Sequence, residues 1–567
     1  MMETLEPAPQ PKGRGRLMLG IVAGLVVVGA IVAAALIIPR LQQPAASTVN
    51  ASASAMPADT QVYLAFNPHY DRLPNGGVVR KAWSDPSVFK SLEDGIRDAL
   101  AGNDLDWDKD IAPWLGDEVA IGVSDLPLGP SDQDAAPPRA VLAAATRDVA
   151  ASNQMLNRLR SQAESSGAEF SEQTYRGVAT VEQVGARPDS AIAYATVNDM
   201  LIVAVGADGL HAAIDALLDG KGLDKSSDYQ AAVGPLRGGR ALTLYADIGA
   251  LFGPMLDQLS GETPSGVMLS GLDQTRFGLG LSFEPNGALL EFITLGDPAV
   301  GLPVEDKTGA QAASNPNRLL RAVPDSTFLY MSGRRLADWY DDMLAILKAA
   351  GPQAGVEDAL GDLERQTGID LREDIFGWMT GEAAVAVMPS GGLLGGPAPL
   401  PFGFALIVEA GDKERAASGP HKLFQVLAAQ SRASIEDVTV GDYPMHAYVD
   451  QASGGSTFAY GLMGDNFVQA LPESAARRIA TAGSRPLADD ADFKAAIAPL
   501  PRDTIGYVYF KPESILSLAK AGLGLNDQEC PACVLLDPVR ALAFTIEYPP
   551  KQAGSVRSVM FLMLKVE

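Results

Sequence analysis

The sequence predicts an α+β protein in which a single N-terminal transmembrane helix is followed by two tandem, diverged copies of an α+β unit with a mainly antiparallel sheet. Three observations predict it. Leu17–Ile38 is an unbroken uncharged run, LMLGIVAGLVVVGAIVAAALII. A set of residues recurs in order at a nearly constant offset: Trp114 returns as Trp378 and Tyr245 as Tyr509, each 264 positions on. Within each copy, alternating apolar runs are joined by tight-turn residues, with helical stretches between them.

The apolar run comes first. A span of this length reaches across a hydrocarbon core of about 30 Å. Lys12, Arg14 and Arg16 precede it and Arg40 follows, so residues 1–16 are expected to form a cytoplasmic tail and the remainder to be translocated. A cleaved signal peptide is the rival reading, but its apolar stretch is normally shorter and its small-residue cleavage site closer. Ala51-Ser52-Ala53 lies well beyond the run, after Pro39 and Pro44. Gln42–Ala55 (QQPAASTVNASASA) is small and polar, as a flexible tether should be, and the tether is placed at 39–55.

The body that follows is acidic. The chain of 567 residues carries a formal net charge of −25 and is 47% hydrophobic. Acidic excess disfavours nucleic acid and equally disfavours a body lying flat on anionic lipid. Cys530 and Cys533 are the only cysteines, which excludes a disulfide scaffold. The fold must rest on apolar cores.

The repeats set the domain boundaries. Pro57-Ala58-Asp59-Thr60-Gln61-Val62-Tyr63 recurs as Pro324-Asp325-Ser326-Thr327-Phe328-Leu329-Tyr330. Asp106, Asp110, Ile111 and Glu118 recur as Asp370, Asp374, Ile375 and Glu382. The first copy is placed at 56–300, a polar linker at 301–320 and the second copy at 321–567. Each copy should open with a strand (Val62–Phe66; Thr327–Met331). A short helical turn capped by Asp106 or Asp370 should lead through Trp-x-x-x-Glu into a strand. A strand and a long helix come next, then two strands meeting at Asn198-Asp199 or Gly464-Asp465, whose residue types tolerate positive φ. A helix (Gly209–Leu218; Ser474–Thr481) and closing strands complete a βαββα core with helices on one face of the sheet.

The P-x-D-T-x-x-Y opening at Pro57–Tyr63 and the D-I-x-x-W-x-x-x-E segment at Asp110–Glu118, behind one membrane helix, resemble the bacterial domain of unknown function 3352 (DUF3352). The resemblance implies a bacterial envelope setting. It implies no catalytic residues.

Candidate chemistry is sparse. Cys530-Pro531-Ala532-Cys533 has the C-x-x-C pattern of a redox pair, yet the residues before it read as a helix end and Pro538 would interrupt a helix after it. It reads first as a possible local disulfide or as inert thiols. Redox function and half of an intermolecular metal site are the alternatives. Ser87-Val88-Phe89-Lys90 and Lys307-Thr308-Gly309 imitate two motifs of penicillin-recognising serine enzymes, without the third. Asp104–Asp110 imitates a calcium loop, with Lys109 and Leu115 where Gly and Glu are required. Trp114 with Glu118, and Trp378 with Glu382, are repeated. They read as core anchors with paired carboxylates, although a carboxylate beside an aromatic could act as an acid. His69, His211, His421 and His446 show no metal-binding spacing. Two Pro- and Gly-rich loops, Ser124–Arg139 and Pro389–Pro401, follow equivalent strands; Leu393-Leu394 is an apolar tip suited to a partner or lipid.

The expectation is therefore a non-enzymatic, membrane-anchored extracytoplasmic binding or scaffolding protein, without cofactor or metal and with an envelope protein or lipid as partner. A carrier of a lipid or other apolar ligand is the alternative, and a hydrolase with an unrecognised site the second.

Overall fold

The computed structural model describes residues 51–82, 100–102, 105–126, 138–187, 190–252, 274–296, 317–334, 336, 340, 344, 356–389, 402–450, 455–523, 536–547 and 554–566. The apolar run Leu17–Ile38 lies outside them. Among the described residues no helix is long and apolar enough to cross a membrane. The protein is a mixed α/β structure built on extensive antiparallel sheet. It divides into two compact units, Met1–Met255 with Arg276–Phe283, and Leu256–Thr275 with Glu284–Glu567.

The first unit contains β1 (Val62–Phe66), α1 (Gly77–Ala82), β2 (Leu115–Ser124), β3 (Arg139–Thr146), α2 (Val149–Ser165), β4 (Glu169–Tyr175), β5 (Val178–Val184), β6 (Ile192–Val197), β7 (Met200–Val205), α3 (Ala207–Asp219), α4 (Ser227–Val233), β8 (Leu242–Asp247) and β9 (Arg276–Glu284). Its strands run in the order β9-β8-β1-β2-β3-β7-β6-β5-β4, each pair antiparallel. Asn198 and Asp199 both take positive φ, 50° and 59°, and close β6–β7 as the two-residue turn their types favour.

The second unit contains β10 (Gly287–Leu295), β11 (Leu329–Arg334), α5 (Val356–Thr367), β12 (Glu382–Pro389), β13 (Phe402–Glu409), α6 (Lys413–Gln430), β14 (Ala433–Val440), β15 (Tyr443–Asp450), β16 (Gly455–Met463), β17 (Asn466–Leu471), α7 (Glu473–Ala480), α8 (Ala491–Ile497), β18 (Thr504–Phe510), α9 (Pro512–Leu523), β19 (Val539–Glu547) and β20 (Ser555–Leu564). Its strand order is β10-β20-β19-β18-β11-β12-β13-β17-β16-β15-β14, again antiparallel throughout.

Several sequence expectations need correction. Residues 51–55, assigned to the tether, form a 3-10 turn in which Ser52, Ala53 and Ala55 are buried. Small side chains suit a linker, and they equally suit a tight packing slot. At the end of the expected linker, Leu319 and Leu320 are likewise packed into the core of the second unit. β10 belongs to the second unit and not to a first copy ending at residue 300, because it pairs with β20 along nine residues. The core is not βαββα: a further hairpin, β4–β5 or β14–β15, follows each long helix. Finally, helices cover both faces of the sheet in the second unit. Ala405 and Ile407 join the core that includes Ala475 and Ala476 of α7. Leu406 and Val408, which point the other way along the same strand, pack with Ala416 and Phe424 of α6.

Candidate functional site

The repeated Trp and Glu residues are positioned from a common local design. Asp106 caps the turn Trp107–Ile111, its carboxylate accepting the Lys109 N–H at 3.0 Å. Asp110 reaches back to accept the Asp106 N–H at 2.8 Å, and its carbonyl takes the Trp114 indole N–H at 2.7 Å. In the second unit Asp370 accepts from Glu373 N at 3.0 Å, Asp374 accepts from Asp370 N at 3.1 Å, and Trp378 Nε1 donates to Asp374 O at 3.2 Å. The carboxylates of Asp106 and Asp110 are thus engaged with backbone donors. Among the described residues no group of three or more His, Cys, Asp and Glu is disposed to hold a metal.

Four residues beyond each Trp, a glutamate enters the core. Glu118 and Glu382 are each only 5% exposed. Glu118 accepts the Ala51 N–H at 2.9 Å, the Ser52 N–H at 3.3 Å and the Tyr63 hydroxyl at 3.2 Å, and it is hydrogen-bonded by the Ser52 hydroxyl. Glu382 accepts the Arg318 N–H at 2.8 Å, the Leu319 N–H at 3.3 Å and the Tyr330 hydroxyl at 3.5 Å. In both units the acceptor sits at the first N–H groups of a 3-10 turn, where an anion is favoured. The following chain is pinned alike: Leu223 N donates to Met56 O at 2.9 Å, and Leu487 N donates to Val323 O at 2.7 Å.

Burial raises both carboxyl pKa values, and the donated hydrogen bonds oppose the rise. Glu382 is pushed up to about 7; Glu118 is raised from its ordinary value. Burial and the neighbouring carboxylate raise the Tyr63 and Tyr330 hydroxyls too. Ser52 and Tyr63 are fully buried, while Glu118 also borders a small open pocket with Asn67, Asp117, Arg240 and Thr243. The constellation clamps the segment entering each unit.

A second feature spans whole sheets. Cross-strand partners share a face, so the registers can be followed from strand to strand. In the second unit one row reads Leu406–Val385–Met331–Val508–Phe544–Met560–Leu290. Every member is apolar and none is fully buried; Met331 is 45% exposed, and Phe404, one row along, 44%. The opposite face carries Tyr330, Ala384, Tyr509, Ala543, Phe561 and Leu289, all buried in one core. In the first unit the row Leu279–Leu244–Leu64–Ile121–Leu142–Val203 behaves similarly, with only Ile121 buried. A one-faced antiparallel sheet would place polar residues on its outer side. Here both faces are apolar: one is packed into the core, and the other, which α6 covers at Leu406, is half-buried along most of the row.

The histidines divide. His69 is buried, 3.4 Å from Leu115 O and 3.3 Å from an Arg147 guanidinium nitrogen. His211 lies 3.1 Å from Glu182 and stacks on Tyr175. His421 and His446 come together, with ring centroids 4.3 Å apart. Sequence spacing missed this pair because a helix and a strand supply one each. The apolar rows were missed because the Leu and Val residues that form them alternate with Ala, Gly and Tyr, and register alone aligns them. Cys530, Cys533, Ser87–Lys90, Lys307–Gly309 and Leu393-Leu394 lie outside the described residues, as do 127–137 and 390–401 of the two loops.

The sequence model of DUF3352, a protein family of unknown function, matches residues 19–564. No curated protein matches the chain. Among solved structures, crystal form I of TP0453 is similar over 43% of this chain and 77% of that one, at 13% identity and a TM-score of 0.21.

Proposed function

This chain belongs to the DUF3352 family across nearly its whole length, and from that premise we propose that it is a non-catalytic binding protein of the bacterial envelope, anchored by Leu17–Ile38 with its body outside the cytoplasm, which seats an apolar ligand such as a lipid on the less covered sheet face. The body is read as two tandem, diverged copies of one unit. Recurring residues, the shared strand order β9-β8-β1-β2-β3-β7-β6-β5-β4 and β19-β18-β11-β12-β13-β17-β16-β15-β14, and the two glutamate clamps support that reading.

The observation that carries the binding function is the seven-strand apolar row through Met331. The part of an apolar surface that stays exposed costs free energy in water at about 25 cal/mol per Å². Such a surface marks a place for a ligand or partner. The alternative of a hydrolase finds less support, since the repeated acids are engaged by backbone donors.

The test is affinity capture of the tagged, detergent-extracted full chain with quantification of co-purified lipid. Lipid enriched severalfold over an unrelated single-pass protein, and reduced by Met331→Glu and Leu64→Glu in chains that remain folded, is the expected result. Lipid at the control level would overturn the reading.

A further inference from the structure

His421 on α6 and His446 on β15 are held by different partners in the same way. His446 Nδ1 lies 2.9 Å from a carboxylate oxygen of Asp437 on β14. His421 Nδ1 lies 3.0 Å from the hydroxyl of Tyr460 on β16, a side chain only 1% exposed. Asp437, His446 and Tyr460 are direct register partners across β14–β15–β16. The strand row is therefore a fixed platform, and α6 lays His421 over it. Gln425, one turn along α6, brings its amide nitrogen to 2.9 Å from His421 Nε2.

These partners select a tautomer. With Nδ1–H donating to Asp437 or Tyr460, each ring carries its lone pair on Nε2. That is the form in which imidazole binds a metal, and an Nδ1–H bonded to a carboxylate or hydroxyl is the usual support behind a metal-binding histidine. With ring centroids 4.3 Å apart, side-chain rotation that frees His421 from Gln425 brings both imidazoles within reach of one ion. The set offers two nitrogen donors and no thiolate, a combination that suits Zn²⁺, Cu²⁺ or Ni²⁺ over Ca²⁺ or Mg²⁺. Among the described residues no third His, Cys, Asp or Glu joins them, and water would take the remaining positions. The first unit provides an internal contrast: its register row Glu172–Val181–Tyr194 has valine where His446 stands.

We propose that His421 and His446 form a two-imidazole binding site for a borderline divalent transition metal on the second unit, with Asp437 and Tyr460 as its supporting shell. Displacement of the Gln425 amide from His421 Nε2 accompanies binding. This site is independent of the apolar sheet face, and its failure would leave that reading intact.

The experiment is calorimetric titration of the detergent-solubilised full chain, free of any histidine tag and stripped with EDTA, with ZnCl₂ at pH 7.5. One saturable site per chain is expected, weakened about tenfold or more in His421→Asn and in His446→Val. His211→Asn should leave it unchanged. Gln425→Ala should not weaken it. Circular dichroism establishes that each variant is folded. Absence of saturable binding below millimolar Zn²⁺, or equal binding by wild type and both histidine variants, would overturn the proposal.

Discussion

Glu382 accepts the backbone N–H of Arg318 at 2.8 Å, fastening the segment that enters the second unit to the strand β12 that lies at its centre. Glu118 does the same for Ala51 in the first unit at 2.9 Å. A buried carboxyl used as a clamp makes stability depend on pH. The Glu382 pKa is about 7 in the fold, against an ordinary value of 4.5, so the folded chain holds this proton more tightly than the unfolded one. Its contribution is present in full below about 4.5 and is lost as pH rises through about 7, a change on the order of 3 kcal/mol. Denaturant titrations of wild type and Glu382→Gln across pH 4.5 to 8 check this. The wild type should lose stability relative to the variant as pH rises; parallel curves would contradict it.

Trp378 is the anchor beside that clamp. Its indole donates to Asp374 O and its ring meets Phe467 edge-on at 5.3 Å. Trp378→Ala should cost about 3–5 kcal/mol through the cavity it leaves, and Trp378→Phe about 1 kcal/mol with the hydrogen bond lost. The Asp374 carbonyl also explains Gly419 of α6, where an added Cβ would come within 1.9 Å of that oxygen. Gly419→Ala should therefore destabilise more than Gly333→Ala, whose Cβ would meet open space. Thermal unfolding of the four variants provides the comparison, and equal melting temperatures for the two glycine variants would refute the packing account.

The orientation of the proposed anchor is tested in cells. With Lys12, Arg14 and Arg16 on the cytoplasmic side, protease added to intact spheroplasts should digest the body while a cytosolic marker survives. Exchanging these three residues for glutamine should impair the orientation. A body spared by protease in intact spheroplasts and digested after lysis would place it on the wrong side.

Local chemistry made parts of this fold legible in the sequence. Asn198-Asp199 marked a hairpin because few residue pairs accept two positive φ angles. Asp106 and Asp370 marked helical turns because a carboxylate satisfies free N–H groups, and both do so. The β4–β5 hairpin was not legible: Glu169–Tyr175 is polar and largely exposed, so it carries little apolar alternation. Ala51–Ala55 resembled a linker because its packing depends on a glutamate more than sixty residues away. The glutamates themselves stood out through repetition, but their partners are backbone N–H groups, which a sequence does not identify. The apolar rows and the His421–His446 pair exist only once strand register is set.

The central claim is that the apolar row through Met331 holds a ligand. A photoreactive benzoylphenylalanine placed at Met331 of the full chain in living cells, followed by irradiation and mass spectrometry of the purified protein, tests it directly. The account predicts an adduct of lipid mass at this position and none from the same group at Asp437, whose side chain is 92% exposed on β14. Crosslinks confined to the protein's own chain, or no adduct at all, would contradict it.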